Sequence, residues 1–134
     1  MITETPELSA SDIMSRKIVL ASPLDSLGDV AEKMTSADVG SALVVDSGKL
    51  VGILTSRDVI AAIAHRAIPS EARVEKWMSR DPVTAGADTP VDEAAELMLA
   101  RGFHHLPVTD GRGRPIGTVG LRAAASGLSG LPGC

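Results

Sequence analysis

The chain has 134 residues, the length of one ordinary domain. An apolar fraction of 44% is typical of a globular protein, and a charged fraction of 22% argues against intrinsic disorder. The net charge of −4 lacks the basic excess expected of a protein that binds nucleic acid or a membrane surface, and one Phe, one Trp and no Tyr leave few platforms for stacking bases.

The termini and the hydropathy pattern predict a cytoplasmic protein. The sequence has no apolar run of about eighteen residues, which a membrane-spanning helix needs. Its first residues have neither the basic region nor the apolar run of a signal peptide. Cys134 is the only cysteine and cannot form an internal disulfide, which favours a reducing compartment.

The first half of the chain predicts a β-α-β-β-α unit. Short apolar and β-branched runs indicate strands, and apolar residues at helical spacing indicate one buried helix face. The turn at Asp46–Lys49 contains a glycine and predicts a hairpin. The predicted elements are a helical turn at 12–15, a strand at 17–21, a helix at 26–36, strands at 41–45 and 50–54, and a helix at 55–67.

The second half repeats this order. Sixty-four residues after Ile13-Met14-Ser15 the chain reads Trp77-Met78-Ser79, and Met34 likewise matches Met98. After a one-residue insertion in a turn, Gly52 matches Gly117. Such repetition indicates two copies of one small unit, which we expect to share a core because about sixty residues bury little alone. The elements predicted for the second copy are a turn at 74–79, a strand at 83–85, a helix from Pro90 at position N1 to Arg101, strands at 105–109 and 115–119, and a helix from 121.

The repeat predicts the domain organisation and an α/β (α+β) fold. The first two strands of each copy should be parallel, the last two should form a hairpin, and helices should cover one face of each small sheet. The free faces should then pack together with pseudo-two-fold symmetry. The predicted divisions are an N-terminal extension at 1–10, repeats at 11–67 and 74–127, a linker at 68–73 and a flexible tail at 128–134.

Three motifs resemble those of the CBS domain, a family named after cystathionine β-synthase. They are the Met-Ser opening of each copy, the segment Phe103–Val108, and Gly52–Asp58, which is similar to the family's Gly-x-x-[Ser/Thr]-x-x-Asp. The resemblance covers about residues 11–127 and implies a tandem CBS pair (Bateman module) like the stand-alone bacterial ones. CBS pairs bind AMP, ADP, ATP or S-adenosylmethionine in a cleft between the repeats, so it implies an adenosine ligand and no cofactor.

The resemblance also implies a role for each site residue. The Asp58 carboxylate would accept hydrogen bonds from both ribose hydroxyls, which suits an ionised group with two acceptor oxygens. Thr55 would contact ribose or phosphate at a helix start that favours anions. The other residues implied at this site are Ile53 beside them, Pro82 and Val83 against adenine, Phe103 and Pro107 framing it, His104 and His105 toward phosphates, and Arg122 as a cation.

A structural reading of the same motif stays open. Thr55 and Asp58 also form the pattern of a capping box, in which each side chain bonds the backbone N–H of the other. In the second copy Gly120 and Ala123 replace them, yet the helix pattern persists. A helix can therefore begin there without this cap, which favours a ligand role. Ala123 also predicts that the symmetry-related second cleft, with Val19, Val39, Gly40 and Ser41, is empty or weak.

The histidine pair and Arg57 each have several interpretations. Adjacent strand residues point to opposite faces, so His104 and His105 cannot easily chelate one metal ion. One can be packed and the other solvated, or at least one can contact a phosphate. Arg57 either turns toward the second cleft or is a solvated residue at the helix start.

Three functions compete at this stage. The first is a non-catalytic sensor that binds one adenine nucleotide, acts as a homodimer through the exposed sides of helices 26–36 and 90–101, and regulates a protein partner. The second is a protein-protein interaction or oligomerisation module with a vestigial nucleotide site. The third, an enzyme such as a phosphohydrolase, is disfavoured because only His104, His105 and Asp58 could act as a base or metal ligand.

Overall fold

The computed structural model describes residues 8–129 and contains two small sheets, each covered by helices. The predicted β-α-β-β-α order is confirmed in both halves. The helices are α1 (Ala10–Ile13), α2 (Leu27–Ala37), α3 (Ser56–Ala64), α4 (Val91–Arg101) and α5 (Leu121–Ser129). The strands are β1 (Val19–Ala21), β2 (Ser41–Asp46), β3 (Lys49–Thr55), β4 (Ser79–Arg80), β5 (Ala85–Gly86), β6 (His105–Thr109) and β7 (Pro115–Gly120).

The strand pairing follows the predicted topology. One sheet has the order β1-β2-β3-β4 and the other β5-β6-β7. In each, the first and second strands are parallel, and the second and third form an antiparallel hairpin, as predicted. The fourth strand of the larger sheet was not predicted: β4 comes from the opening of the second copy and pairs with β3 of the first.

The opening segments of the two copies exchange places. Ser79 pairs with Ile53 in the first copy, and Ser15 forms the corresponding bridge to Thr118 in the second. The backbone repeats this exchange at the helix starts: the N–H of Leu27 donates to the carbonyl of Ala72 at 2.8 Å, and that of Val91 to the carbonyl of Leu8 at 3.0 Å. Each opening segment thus completes the other copy.

The expectation of one shared core is wrong, because the structure has two apolar clusters. The first, built on α2 and its sheet, takes Val74 and Met78 from the opening of the second copy. The second, built on α4 and its sheet, takes Ala10 from the opening of the first. Helices on one face give each sheet a core of its own, and the exchanged segment enlarges it.

The free sheet faces meet between the copies. Ala42 and Val44 belong to the first core, whereas Ser41 and Leu43 alternate to the opposite face. These two are nevertheless only 7% and 1% exposed, and Pro107 of the other sheet is fully buried. The second sheet therefore covers the face that the helices leave open.

The helix-start prediction at Pro90 is wrong by one position. Pro90 is the N-cap of α4, with extended backbone angles, and its carbonyl accepts a hydrogen bond from the N–H of Ala94 at 3.0 Å. The first free N–H of the helix is instead bonded to Leu8, so the exchanged segment does what a capping side chain does elsewhere.

The ends of the chain add two observations. Residues 1–7 and 130–134 lie outside the described residues. They include Cys134 and most of the predicted tail at 128–134. No helix within 8–129 is long and apolar enough to cross a bilayer.

Gly52 and Gly117 make the exchange possible, and an alanine at either position should destabilise the fold by about 1–3 kcal/mol. A Cβ at Gly52 would lie 2.5 Å from the Sδ of Met78, and one at Gly117 would lie 2.6 Å from the Sδ of Met14. Chemical denaturation of Gly52→Ala and Gly117→Ala measures the loss. Gly111→Ala is the control, since a Cβ there meets nothing within 4 Å. Stabilities equal to that of the control would contradict this account of the exchange.

Candidate functional site

A cleft with a volume of about 540 Å³ lies between the two copies. This is within the range of small-molecule sites, about 300–1,000 Å³. One wall is the end of β3, its neighbour β4 and the start of α3. The segment after β4 and the loop from α4 to β6 line the rest of the cleft. The cleft brings together nine of the ten predicted residues: Ile53, Thr55, Asp58, Pro82, Val83, Phe103, His104, His105 and Pro107.

The structure does not bring Arg122 to this cleft. Arg122 is exposed at the start of α5, whereas Arg57, its counterpart at the start of α3, lines the cleft beside Asp58. Gly40, which we expected in the second cleft, also lines this one. A residue at a helix start lies near its own helix's cleft, so the cation comes from the copy that supplies the carboxylate.

The start of α3 is a capping box, as one interpretation of the motif predicted. The Oδ2 of Asp58 accepts hydrogen bonds from the backbone N–H of Thr55 at 2.8 Å and from its hydroxyl at 3.0 Å. The Oγ1 of Thr55 in turn accepts from the N–H of Asp58 at 3.3 Å. All bonds to the carboxylate use Oδ2, so Oδ1 retains its capacity to accept from a ligand.

The second copy confirms that a helix can begin here without this box. The N–H of Leu121 donates to the carbonyl of His104 at 2.9 Å, and α5 begins there although Gly120 and Ala123 replace the capping pair. The N–H of Ser56 makes the matching bond to the carbonyl of Gly40 at 3.0 Å. Backbone bonding is common to both helix starts, and the Thr55–Asp58 pair is an addition to it.

The two histidines occupy different environments in the cleft. His105 is half-buried, and its ring lies so close to Gly40 that a Cβ there would be 3.3 Å from Cε1. Burial lowers the pKa of His105 below its ordinary value of 6.5, and the neighbouring His104 lowers this pKa further. His104 is exposed. Among residues 8–126, no three His, Cys, Asp or Glu side chains are close enough to hold a metal ion.

Two further cations, which sequence reasoning missed, line the cleft. Arg80 follows Ser79 in β4, and Arg101 is the last residue of α4. Each lies within two residues of a predicted site residue, Pro82 or Phe103, and this proximity is the signal that could have found them. Asp81 and Ser56 also line the cleft, and Asp81 has a positive φ of 47°.

The cleft combines three kinds of chemistry. Asp58 offers a carboxylate oxygen to hydroxyl donors, while Pro82, Val83 and Phe103 offer partly buried apolar surface. The guanidinium groups provide donors for an anion, whereas the hydroxyl of Ser56 donates to the carbonyl of Gly40 at 3.4 Å. This set matches a ligand with a diol, a flat apolar ring and negative charge.

Comparison with known proteins identifies the repeat. The family model described as CBS domain matches residues 10–65 and 74–130. A protein of Acidianus ambivalens, named as an uncharacterized 17.7 kDa protein, is 36% identical over 119 residues, which are 88% of this chain and 71% of that protein. The chain spans only about a fifth of several longer relatives, among them an inosine-5'-monophosphate dehydrogenase of Methanocaldococcus jannaschii.

Solved structures give the same result. The CBS domain pair of protein MJ0100, in complex with 5'-methylthioadenosine and S-adenosyl-L-methionine, has a TM-score of 0.83 at 29% identity and covers 93% of this chain and 98% of that one. The cytosolic domain of the Mg²⁺ channel MgtE, in complex with ATP, has a TM-score of 0.76 at 29% identity. It covers 92% of this chain and 48% of that one.

The pKa of His105 should be measurable by NMR and should depend on His104. We expect the His105 midpoint to lie below 6.5 and to rise in His104→Gln, because the substitution removes the repulsion and leaves the burial. Because the pKa of His105 is lower in the folded than in the unfolded wild-type chain, the unfolded chain binds more protons near this pH. The free energy of unfolding should therefore fall as pH drops below about 6.5. His65→Gln, outside the cleft, is the control. A His105 midpoint at or above 6.5 would show that the ring is neither desolvated nor repelled.

Proposed function

The chain belongs to the CBS-domain family as a tandem pair, and from this premise we propose that it is a non-catalytic regulatory module that binds one adenosine ligand between its two domains. The observation that carries the proposal is the position of Asp58. Its carboxylate and the start of α3 form one wall of the cleft, and apolar residues and cations of the other domain form the opposite wall.

Asp58 can bind ribose without losing its role as a cap. Oδ2 holds the N–H and the hydroxyl of Thr55, and Oδ1 is left for a hydroxyl of the diol. A second ribose hydroxyl can displace the Thr55 hydroxyl from Oδ2, which frees that hydroxyl to donate to the ligand. The backbone bond from Thr55 to Oδ2 is kept, so α3 does not have to unfold at its start.

The adenine and phosphate ends follow from the remaining lining. Pro82, Val83 and Phe103 are partly buried and provide a flat apolar slot for a purine ring. The phosphates then lie toward the start of α3, where Ser56 and Arg57 stand at the positive end of the helix.

The relatives support this class of ligand. The MJ0100 pair was solved with two adenosine compounds and the MgtE domain with ATP, and both are 29% identical to this chain. Ligand binding can regulate a partner, or a second copy of the chain, only through a difference in affinity between two states of the module. The cleft is suited to this because the ligand contacts both domains at once.

Replacing Asp58 by alanine should abolish binding of AMP, ATP and S-adenosylmethionine in calorimetric titration, with a loss of at least about a hundredfold from two charge-assisted hydrogen bonds. The control is Asp12→Ala. Asp12 closes the same kind of capping box at α1, where its Oδ2 accepts from the N–H of Ser9 at 2.8 Å, and it does not line the cleft.

Each outcome of this titration decides something. Binding lost in Asp58→Ala but kept in Asp12→Ala supports the ribose role, because both variants lose a cap. Equal weakening in both would mean that the carboxylate acts through stability alone. No binding by the wild type would leave an interaction or oligomerisation module with a vestigial site.

The stoichiometry should be one nucleotide per chain. The symmetry-related position in the second domain has Ala123 and Gly120, so it offers no carboxylate or hydroxyl to ribose. Native mass spectrometry or calorimetry at saturating AMP measures the ratio. Two equivalent sites per chain would contradict the assignment of ribose binding to Asp58.

A further inference from the structure

We propose that the cleft selects a nucleotide with two or three phosphates over AMP and S-adenosylmethionine, and that Arg80 and Arg101 are the residues that set this preference. The inference rests on the proposed function, because it concerns the phosphate end of the same adenosine site. It begins from the number and the state of the cations that line the cleft.

The arginines of the cleft have no carboxylate partners. Among residues 8–126, the guanidinium groups of Arg57 and Arg101 have no hydrogen-bond acceptor and no ion pair. Arg80 donates from Nη2 to the backbone carbonyl of Glu75 at 3.2 Å, which orients the side chain and leaves its charge uncompensated. Arg57 and Arg101 keep their donors for a ligand, and Arg80 keeps those that do not bond Glu75.

These cations come from both walls. Arg57 stands at the start of α3, Arg80 lies in β4, which pairs with β3 of the same sheet, and Arg101 is the last residue of α4 in the other domain. One phosphate held at the start of α3 is served by Arg57. Arg80 and Arg101 are two more cations than a single phosphate requires. A second or third phosphate would bind them.

The charge of the cleft disfavours a cationic group in the position of the phosphates. Asp58 and Asp81 are the carboxylates that line it against three arginines, and the ribose hydroxyls occupy Asp58. S-adenosylmethionine carries a sulfonium cation where a nucleotide carries phosphate. That cation would enter a cleft in which the guanidinium groups outnumber the carboxylates, and like charges repel.

Comparison of the two domains shows that Arg101 is not needed as a helix-end residue. The matching helix α2 ends at Ala37 and has no basic residue in its last turn, yet it forms. Position 104 likewise carries a histidine where the first domain has Gly40. The added positive groups therefore lie on the cleft that also contains Asp58.

The experiment is calorimetric titration of the full chain with ATP, ADP, AMP and S-adenosylmethionine, in buffer without divalent cations. For the wild type we expect ADP and ATP to bind about tenfold more tightly than AMP, and S-adenosylmethionine to bind more weakly than AMP. Arg80→Gln and Arg101→Gln should each reduce the ratio of ADP to AMP affinity by about three- to tenfold.

Two further variants make the test specific. Arg57→Gln should weaken AMP, ADP and ATP alike, because Arg57 serves the first phosphate. Arg16→Gln is the control. Arg16 follows Ser15 in the first copy as Arg80 follows Ser79 in the second, but Arg16 does not line the cleft. Circular dichroism checks that each variant is folded.

The outcomes separate this inference from the proposed function. Equal affinities for AMP and ADP, or tighter binding of S-adenosylmethionine, with binding still lost in Asp58→Ala, would overturn the inference and leave the adenosine site intact. No binding of any of the four ligands would instead overturn the proposed function. An unchanged ADP to AMP ratio in both Arg80→Gln and Arg101→Gln would show that these residues do not set the preference.

Discussion

The contact between a methionine and a glycine, made once in each direction, holds the two domains of this protein together. Met78 lies against Gly52, and Met14 lies against Gly117, at distances that leave no room for a side chain on either glycine. The strand pairs Ser79–Ile53 and Ser15–Thr118 follow from these contacts. Each domain therefore lacks a part of its own sheet and core, and neither is complete without the other.

The cleft is a consequence of this exchange. The segment that crosses to the first domain at Ser79 continues directly into Arg80, Asp81, Pro82 and Val83, which line the cleft together with Asp58. A ligand between the domains thus contacts a strand of the first sheet and its extension into the second domain. Domain association and the geometry of the site are set by the same few contacts.

The two related halves show how one backbone can carry two different sites. Helices α3 and α5 begin with the same backbone hydrogen bond, to Gly40 and His104 respectively. Only α3 adds the Thr55–Asp58 capping box. The cleft beside it also contains Arg101, whose matching position in the first half is Ala37. Because the backbone bonds already start the helix, the side chains at this position are free to serve a ligand, and they differ between the halves.

The sequence by itself determined the order of the elements and their hairpins and parallel pairs, because these depend on periodicity and turn residues within one copy. Nine of the residues that line the cleft were expected there from the resemblance of short motifs to the CBS family. Only the tertiary structure decided the exchange of the opening segments, the existence of two cores, and the choice of Arg57 over Arg122 for this cleft. It also decided that Arg80 and Arg101 line the same cleft as Asp58. The physical reason is that such contacts join segments distant along the chain, and a strand such as β4 is too short to have a pattern that names its partner.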